Sequence, residues 1–527
     1  MLISKSWKFL VIVVLLIGIV LRFVNLDSKV YSADEVRSIM RLSGSTNQQL
    51  IEEVFDGKIT SVEELQSYQK PTPQKNLSDA VNALVSNPEH PPLYPLLTRF
   101  WMQIINIPIA ARYISILFSI IVFPSIYWLC LELFESPVVG WVAMCLTAVS
   151  PFHILAAQNT TQYSLWTVTI TLSSAALINA LRLNKTACWL RYAVFSAMGF
   201  YTHLYFCTVA LSHGLYVLTT EKLRLSRRTI AYLLSSVGSL LLFSPWIYVI
   251  VTNLDTIKKN TTYYSLSHTN FKVISSRFLE NITNIFVDFH NKTKLENSIL
   301  SYLILGLIAF SIYFICRSTS VKTWSFVLLL VISNTLFLVI PDSFGASIRA
   351  LQYRYYLPCF LGIELSVSYL IAHQISNLSL KVWQRQLWQI IFLVIVCLGI
   401  ISGIFIAQDQ DWGIDDQKGT ASSQNIQLVL PINQSDRPLV MSATTPSFIL
   451  ALSHMAEPKV KFRLFSQQNR SQWDKSINLS TDAAQFSDIF IIYPNQEFLG
   501  FIDQDKQFKR KSVVNNKLYK LEKASSS

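Results

Sequence analysis

The sequence predicts an α-helical polytopic membrane protein with about eleven transmembrane helices and a small C-terminal α/β domain. Three observations predict this class. Charged residues fill only 14% of the 527 positions and the mean hydropathy is +0.37, whereas soluble domains carry about 25% charge. Charge-free apolar runs recur, among them Phe9–Val20, Ala231–Thr252 and Trp388–Gln408, and such runs mark membrane spans. After Gln408 the chain becomes polar, with charges of both signs. These features exclude a soluble enzyme, a disordered chain and a coiled coil.

The elements follow in order. Lys5 and Lys8 precede an apolar run that ends near Leu21 and Arg22. No small-residue cleavage site follows it, which predicts a retained first helix with its N-terminus inside. Residues 25–89 are too polar to span. Their apolar positions (Leu50, Ile51, Val54 and Phe55, then Val62 and Leu65) recur at helical spacing, which predicts short amphipathic helices near the membrane surface.

The stretch from Pro92 to Ile109 is apolar, but Arg99 interrupts it and it ends at Pro108. Charge decides whether it crosses. If it does not, the next crossings fall at 113–131, 137–150, 163–181, 190–203, 204–219, 230–251, 298–316, 323–340, 356–373 and 388–407. The inner side then holds Lys5, Lys8, Arg182, Lys185, Arg191, Lys222, Arg224, Arg227, Arg228, Arg317, Lys322, Lys381 and Arg385, against only Glu132, Glu135 and Glu221. If it crosses, every later basic cluster moves outside, against the positive-inside rule. Residues 1–407 are therefore expected to form the transmembrane domain, with 25–110 as a long outer loop. Residues 408–527 are expected to form an extracytoplasmic domain with strands at 438–443, 459–464 and 488–493 and a helix around 446–455.

The net charge of +12 sits mostly in those short inner loops. A nucleic-acid reader would gather it on one soluble face, so no nucleic-acid partner is expected. The seven cysteines (Cys130, Cys145, Cys188, Cys207, Cys316, Cys359, Cys397) lie in or beside apolar segments without metal-like spacing. They read as packing residues, with no disulfide framework. Aromatic residues at helix ends, including Tyr113, Trp166, Trp189, Trp246, Tyr302, Trp324 and Trp383, read as an interfacial belt.

The residues that carry chemistry collect on the outer side of this topology. The first loop holds the acidic pair Asp34–Glu35 three residues after Tyr31. Taken alone, the pair reads as a helix start, with Ser32 as cap and Glu35 at the capping-box position. Glu89-His90-Pro91-Pro92-Leu93-Tyr94 follows, then Ala111-Arg112-Tyr113, Ser150-Pro151-Phe152-His153, Gln158 with Gln162-Tyr163, Tyr201-Thr202-His203, and Arg354-Tyr355-Tyr356-Leu357-Pro358.

In their order and spacing these motifs resemble the GT-C glycosyltransferases. The likeness is to bacterial family-39-like members, akin to protein O-mannosyltransferases and the aminoarabinose transferase of lipid A. It covers residues 8 to 375. The resemblance implies a multi-pass enzyme of the inner (plasma) membrane that takes a sugar from a polyprenyl-phosphate donor to a lipid, glycan or protein acceptor. It implies Asp34 as the base for the acceptor hydroxyl, with Glu35 orienting the acceptor or the loop. Arg112 and Arg354 would face the carrier phosphate, since a guanidinium suits bidentate phosphate contact; the alternative for each is snorkelling to lipid head groups. Tyr163 and Tyr355 fall within the same motifs. Glu89 and His90 match the position where relatives hold carrier phosphate or a divalent metal ion. His203 would supply a second nitrogen ligand to such an ion, making a site of two histidines and a carboxylate; the alternative is interfacial histidines satisfied by backbone. The chain departs from the pattern at Thr161, where relatives carry an arginine.

Two other classes compete. A transporter or flippase for a lipid-linked sugar would place ionisable or Gly/Pro-broken positions deep in the membrane; here only Glu364, His213, the span-end His373 and a few small residues sit within spans, while polar residues collect on the outer face, which favours surface chemistry over passage. A scaffold would need no acidic pair.

Overall fold

Eleven helices occupy the stretches that the apolar runs select: Lys5–Phe23, Ala110–Phe134, Pro137–Val149, Tyr163–Leu183, Thr186–Thr202, Phe206–Thr220, Arg227–Thr252, Ile299–Ser318, Val321–Ser343, Leu357–Ser376 and Val382–Gln408. The structure is a computed structural model; it describes residues 5–107, 109–266, 270–289, 299–345, 347–411, 421–466 and 471–524. Among the described residues, eight helices are long and apolar enough to cross a membrane, or nine if one bent pair counts as a span. The lower figure has a physical reason. Pro137–Val149, Thr186–Thr202 and Phe206–Thr220 are 13, 17 and 15 residues long, short of the roughly 20 that a bilayer needs. Pro92–Ile109 yields a helix of only 12 residues, Leu93–Ile104.

By contact the chain divides into two compact units. One comprises Met1–Asp27, Asn87–Leu97 and Ile109–Asp409; the other comprises Ser28–Ser86, Thr98–Pro108 and Gln410–Ser527.

In the helical unit, small residues let backbones approach closely, as expected where the solvent gives helices no hydrophobic drive to associate. A Cβ on Gly18 would lie 2.5 Å from the Ala148 carbonyl oxygen, and one on Gly399 would lie 2.8 Å from that of Val149. The bent pair is Pro137–Val149 with Pro151–Gln158, which meet at 58°. Ser150 between them is extended (φ −62, ψ 124), and Pro151 has no N–H to give the Thr147 carbonyl. Arg22 supplies the missing donors. Its guanidinium is fully buried and donates to the carbonyls of Ala148 (2.6 Å), Thr147 (3.2 Å) and Gly18 (2.6 Å), and to Ser119 Oγ (2.7 Å). The sequence reads Arg22 only as the end of the first span; it is a pin between three helices.

The other unit contains a six-stranded sheet in the order β1-β3-β2-β4-β6-β5. The strands are β1 (Asp56–Ser61), β2 (Pro438–Ser442), β3 (Lys461–Phe465), β4 (Asp488–Ile492), β5 (Phe508–Val514) and β6 (Leu518–Lys523). β3, β2 and β4 run parallel and are nearly all buried, as parallel strands covered on both faces are. They are the three strands expected from the tail. β1 comes instead from the first loop and pairs antiparallel with β3. The tail's sheet is therefore completed by residues that the sequence groups with the transmembrane domain.

The hairpin β5–β6 was also invisible in the sequence pattern. β5 is mostly exposed, and its turn uses Asn515 and Asn516 at positive φ, closed by Lys517 N donating to Val514 O at 2.8 Å, the tight turn that favours asparagine. The expected amphipathic helices are present as Ala33–Leu42, Asn47–Val54, Val62–Ser67 and Leu77–Val85. Leu50, Val54, Phe55, Val62 and Leu65 are buried within the protein, and Ala33–Leu42 packs on Pro446–Ser453 and on Leu77–Val85.

Candidate active site

Ser32 caps the helix that carries the acidic pair. Its Oγ accepts from Glu35 N at 3.1 Å, and Glu35 Oε2 accepts from Ser32 N at 3.1 Å, so the capping box is complete. Glu35 is fully buried by this arrangement. Asp34, one residue earlier, is 40% exposed and lies 3.6 Å from the Arg37 guanidinium. The two carboxylates thus have different environments: Glu35 builds the turn, and Asp34 stays partly exposed on a backbone which that turn holds still. Arg99 stiffens the other end of the helix, donating to Leu42 O at 2.7 Å and to Lys75 O at 2.5 Å. Burial lowers the Arg99 pKa from its usual value.

In the helical unit, a second group of motif residues comes together. His203 stacks on Trp166 at 4.2 Å, with Tyr163 at 5.9 Å and Tyr355 at 6.0 Å, and Tyr205 packs edge-on against Tyr355 at 4.9 Å. The Arg354 guanidinium lies over the Tyr355 ring at 5.4 Å. Four sequence-selected residues (Tyr163, His203, Arg354 and Tyr355) therefore share one cluster. Two residues that sequence reasoning missed hold it. Asn334 donates to the Tyr355 carbonyl at 3.1 Å. The buried Asp342 carboxylate accepts from Ala350 N at 2.6 Å and from the Ser347 hydroxyl, which ties down the loop leading to Arg354. Neither carries a sequence signal, because both read as polar interruptions of one apolar helix, Val321–Ser343.

Glu89 and His90 sit in a turn closed by His90 N donating to Asn87 O at 3.0 Å, with Trp246 Nε1 donating to Pro88 O at 3.2 Å. Glu89 Oε1 accepts from Asn260 at 3.0 Å, and its Oε2 is enclosed with no hydrogen bond. Arg112 is buried and donates to Leu26 O at 2.7 Å. Gln158 donates to Leu21 O at 2.9 Å. Thr161, at the arginine position of relatives, is buried and its hydroxyl makes no hydrogen bond.

His203 Nδ1 accepts from Tyr205 N at 3.1 Å. Among the described residues no group of three or more His, Cys, Asp or Glu has the arrangement to hold a metal ion. The aromatic belt is only partial. Tyr302 and Trp383 are exposed, but Trp166, Trp189 and Trp246 are buried, the first as the floor under His203. Glu364, which had no assigned part, accepts from or donates to His153 Nε2 at 3.1 Å, both residues being buried.

Comparison with known proteins adds to this geometry. Residues 89–249 match the family model described as dolichyl-phosphate-mannose-protein mannosyltransferase. No curated protein matches the chain by sequence. Among solved structures, the chain is similar to ArnT from Cupriavidus metallidurans bound to undecaprenyl phosphate, with 13% identity, 99% of each chain covered and a TM-score of 0.57. It is similar to the apo state of the same protein with 12% identity, 98% of each chain and a TM-score of 0.56. Archaeal oligosaccharyltransferase AglB from Archaeoglobus fulgidus, in complex with an inhibitory peptide and a dolichol-phosphate, matches at 9% identity, 99% of this chain, 75% of that chain and a TM-score of 0.48. The likeness to ArnT runs the full length of the chain, and with its run of membrane-length helices and its small sheet the protein has the fold of the GT-C membrane glycosyltransferases.

Proposed function

We propose that the chain is a glycosyltransferase that moves a sugar from a polyprenyl-phosphate-linked donor to a lipid, glycan or protein acceptor on the outer face of the membrane. The observation that carries this reading is Asp34, a partly exposed carboxylate held on a turn built by its buried neighbour Glu35. The acceptor oxygen forms a bond to the anomeric carbon as the bond from that carbon to the phosphate oxygen breaks. The acceptor proton passes to Asp34, and the polyprenyl phosphate departs with the electron pair. A carboxylate held against the acceptor hydroxyl accepts such a proton in the transition state. Arg354 and Arg112 are assigned to the phosphate, where fixed positive charge stabilises the leaving group. Tyr163, His203 and Tyr355 wall the cluster beside Arg354.

A full-length fold shared with a protein that binds undecaprenyl phosphate supports a carrier of the same class. The positive-inside balance of the loops supports placing the sheet-bearing unit outside. A flippase has one observation on its side, the buried Glu364 and His153. Their 3.1 Å contact links helix Leu357–Ser376 to helix Pro151–Gln158, which is how paired ionisable groups are accommodated within a bundle. The test is to extract the lipid that co-purifies with the protein and identify it by mass spectrometry. A polyprenyl-phosphate monosaccharide supports the reading. Transport of a lipid-linked sugar across sealed vesicles, with no transfer to any acceptor, contradicts it.

A further inference from the structure

The helix bearing Asp34 begins abruptly. Ser32 is extended (φ −75, ψ 159), so the direction in which the chain approaches the helix depends on residues 30 and 31. In an ordinary helix start, an apolar residue before the cap packs on the fourth helical residue and sets that angle by itself. Here the residue before the cap is Tyr31, and its ring stacks on His454 at 4.0 Å with 25° between planes. His454 lies just past helix Pro446–Ser453 in the C-terminal tail. Its Nε2 donates to Gln69 Oε1 at 3.1 Å, and Gln69 is almost fully buried.

The neighbouring contacts run the same way. Val30 N donates to Gln410 O at 2.9 Å, and Gln66 Nε2 donates to Ser453 O at 2.8 Å. Val36, the fourth helical residue, is itself buried. The first turn of this helix is thus fixed from inside by Ser32 and Glu35, and from outside by the tail.

We propose that His454 is a positioning residue for the acidic pair: stacked on Tyr31 and anchored to Gln69, it sets the angle at which the Asp34 helix leaves Ser32. The C-terminal tail is therefore part of the catalytic loop's own framework. This rests on the reading of Asp34 as the base. A displacement of about 1 Å at a reacting group costs up to about a hundredfold in turnover, so a residue that never touches substrate can govern the rate.

The test uses the full-length protein in detergent, with backbone amide exchange and sugar transfer measured side by side. The donor probe is a mixture of undecaprenyl-phosphate glucose, mannose and galactose. In His454→Ala the amides of residues 33–37 should exchange on the order of tenfold faster. Transfer should lose about 10- to 100-fold in kcat with KM for the donor nearly unchanged. His454→Phe keeps the stacked ring and should restore most of both, whereas His454→Gln, which keeps only a hydrogen-bonding group, should not. If His454→Ala fails to accumulate, Tyr31→Leu removes the same stack from the other side and should show the same changes. Unchanged exchange in His454→Ala, or in Tyr31→Leu where it stands in, overturns the clamp. Faster exchange with unchanged kcat overturns its catalytic consequence. An active Asp34→Asn variant with a clamp that still behaves as described overturns the reading of Asp34 instead, so the two failures are told apart.

Discussion

The guanidinium of Arg22 donates to the backbone carbonyl of Ala148 at 2.6 Å in a part of the helical unit closed to solvent. Two of the carbonyls it reaches, those of Thr147 and Ala148, are ones that the break at Ser150 and Pro151 leaves without helical partners. Charge, shape and the bend explain one another, and the pin holds the segment that ends in Gln158 against the first helix.

Arg22→Leu keeps the volume but leaves several buried carbonyls unpaired. It should destabilise the detergent-solubilised protein by roughly 3 kcal/mol, since each orphaned group costs about 1–3 kcal/mol. Arg22→Lys should recover only part, because one ammonium cannot reproduce the fork. Thermal unfolding of the two variants checks the order.

Gly57 sits at φ +85 in β1, and a Cβ there would lie 2.6 Å from Ser476 Oγ. Gly57→Ala should cost about 1–3 kcal/mol through backbone strain alone, with transfer activity reduced only as far as folding is. The related fragment experiment is sharper. Residues 409–527 expressed alone lack β1, which leaves β3 an open edge and a template for association. Size-exclusion chromatography should find aggregates. A monodisperse, cooperatively unfolding fragment would contradict the shared sheet.

Acid should loosen the sheet unit in a defined window. Burial disfavours the charged form of Asp488, but Lys520 at 2.5 Å and the Ser435 and Ser487 hydroxyls outweigh it, and its pKa lies below the usual carboxylate value. A depressed folded pKa contributes stability above the unfolded value of about 3.9, and loses it as pH falls below that value. Asp488→Asn should therefore be less stable than wild type at pH 7 and should lose less of its stability between about pH 4 and pH 2. Equal slopes for both proteins would remove Asp488 from the account.

Much of this was legible in the sequence, and the reasons are physical. Long apolar runs report helices directly, and the pattern Ser32-Ala33-Asp34-Glu35 reports a capping box because both partners lie within one turn. β2, β3 and β4 are short apolar runs and were visible; β1, with the sequence DGKITS, has one apolar residue and depends on a partner in the tail. Arg22, Asp342 and the pair His153–Glu364 were not legible as functional or structural features. Arg22 and His153–Glu364 depend on partners more than 90 positions away, and the part Asp342 plays rests on where the helix ends and the chain folds back. Trp166 shows the reverse error: an aromatic at a helix end reads as an interfacial anchor until its stacking partner, His203, is seen.

Glu35→Gln separates structure from chemistry at the neighbouring position. Glutamine also completes a capping box, so the variant should fold and lose no more than the roughly 0.5–2 kcal/mol that a helix cap contributes. Retained transfer assigns Glu35 to the turn. A loss of transfer with stability intact assigns it a part in orienting the acceptor.

The most direct measurement is the transfer rate of purified Asp34→Asn with a polyprenyl-phosphate sugar at saturating concentration. Asparagine keeps the size and most hydrogen bonds of Asp34 but accepts no proton. The variant should insert and purify as wild type does, bind the donor with near-native affinity, and lose about 10² to 10⁴ in kcat. Arg354→Ala, measured in parallel, should weaken donor binding as well as turnover. Transfer by Asp34→Asn at the wild-type rate would contradict the account, leaving Asp34 as no more than an acidic residue in the first turn of a helix.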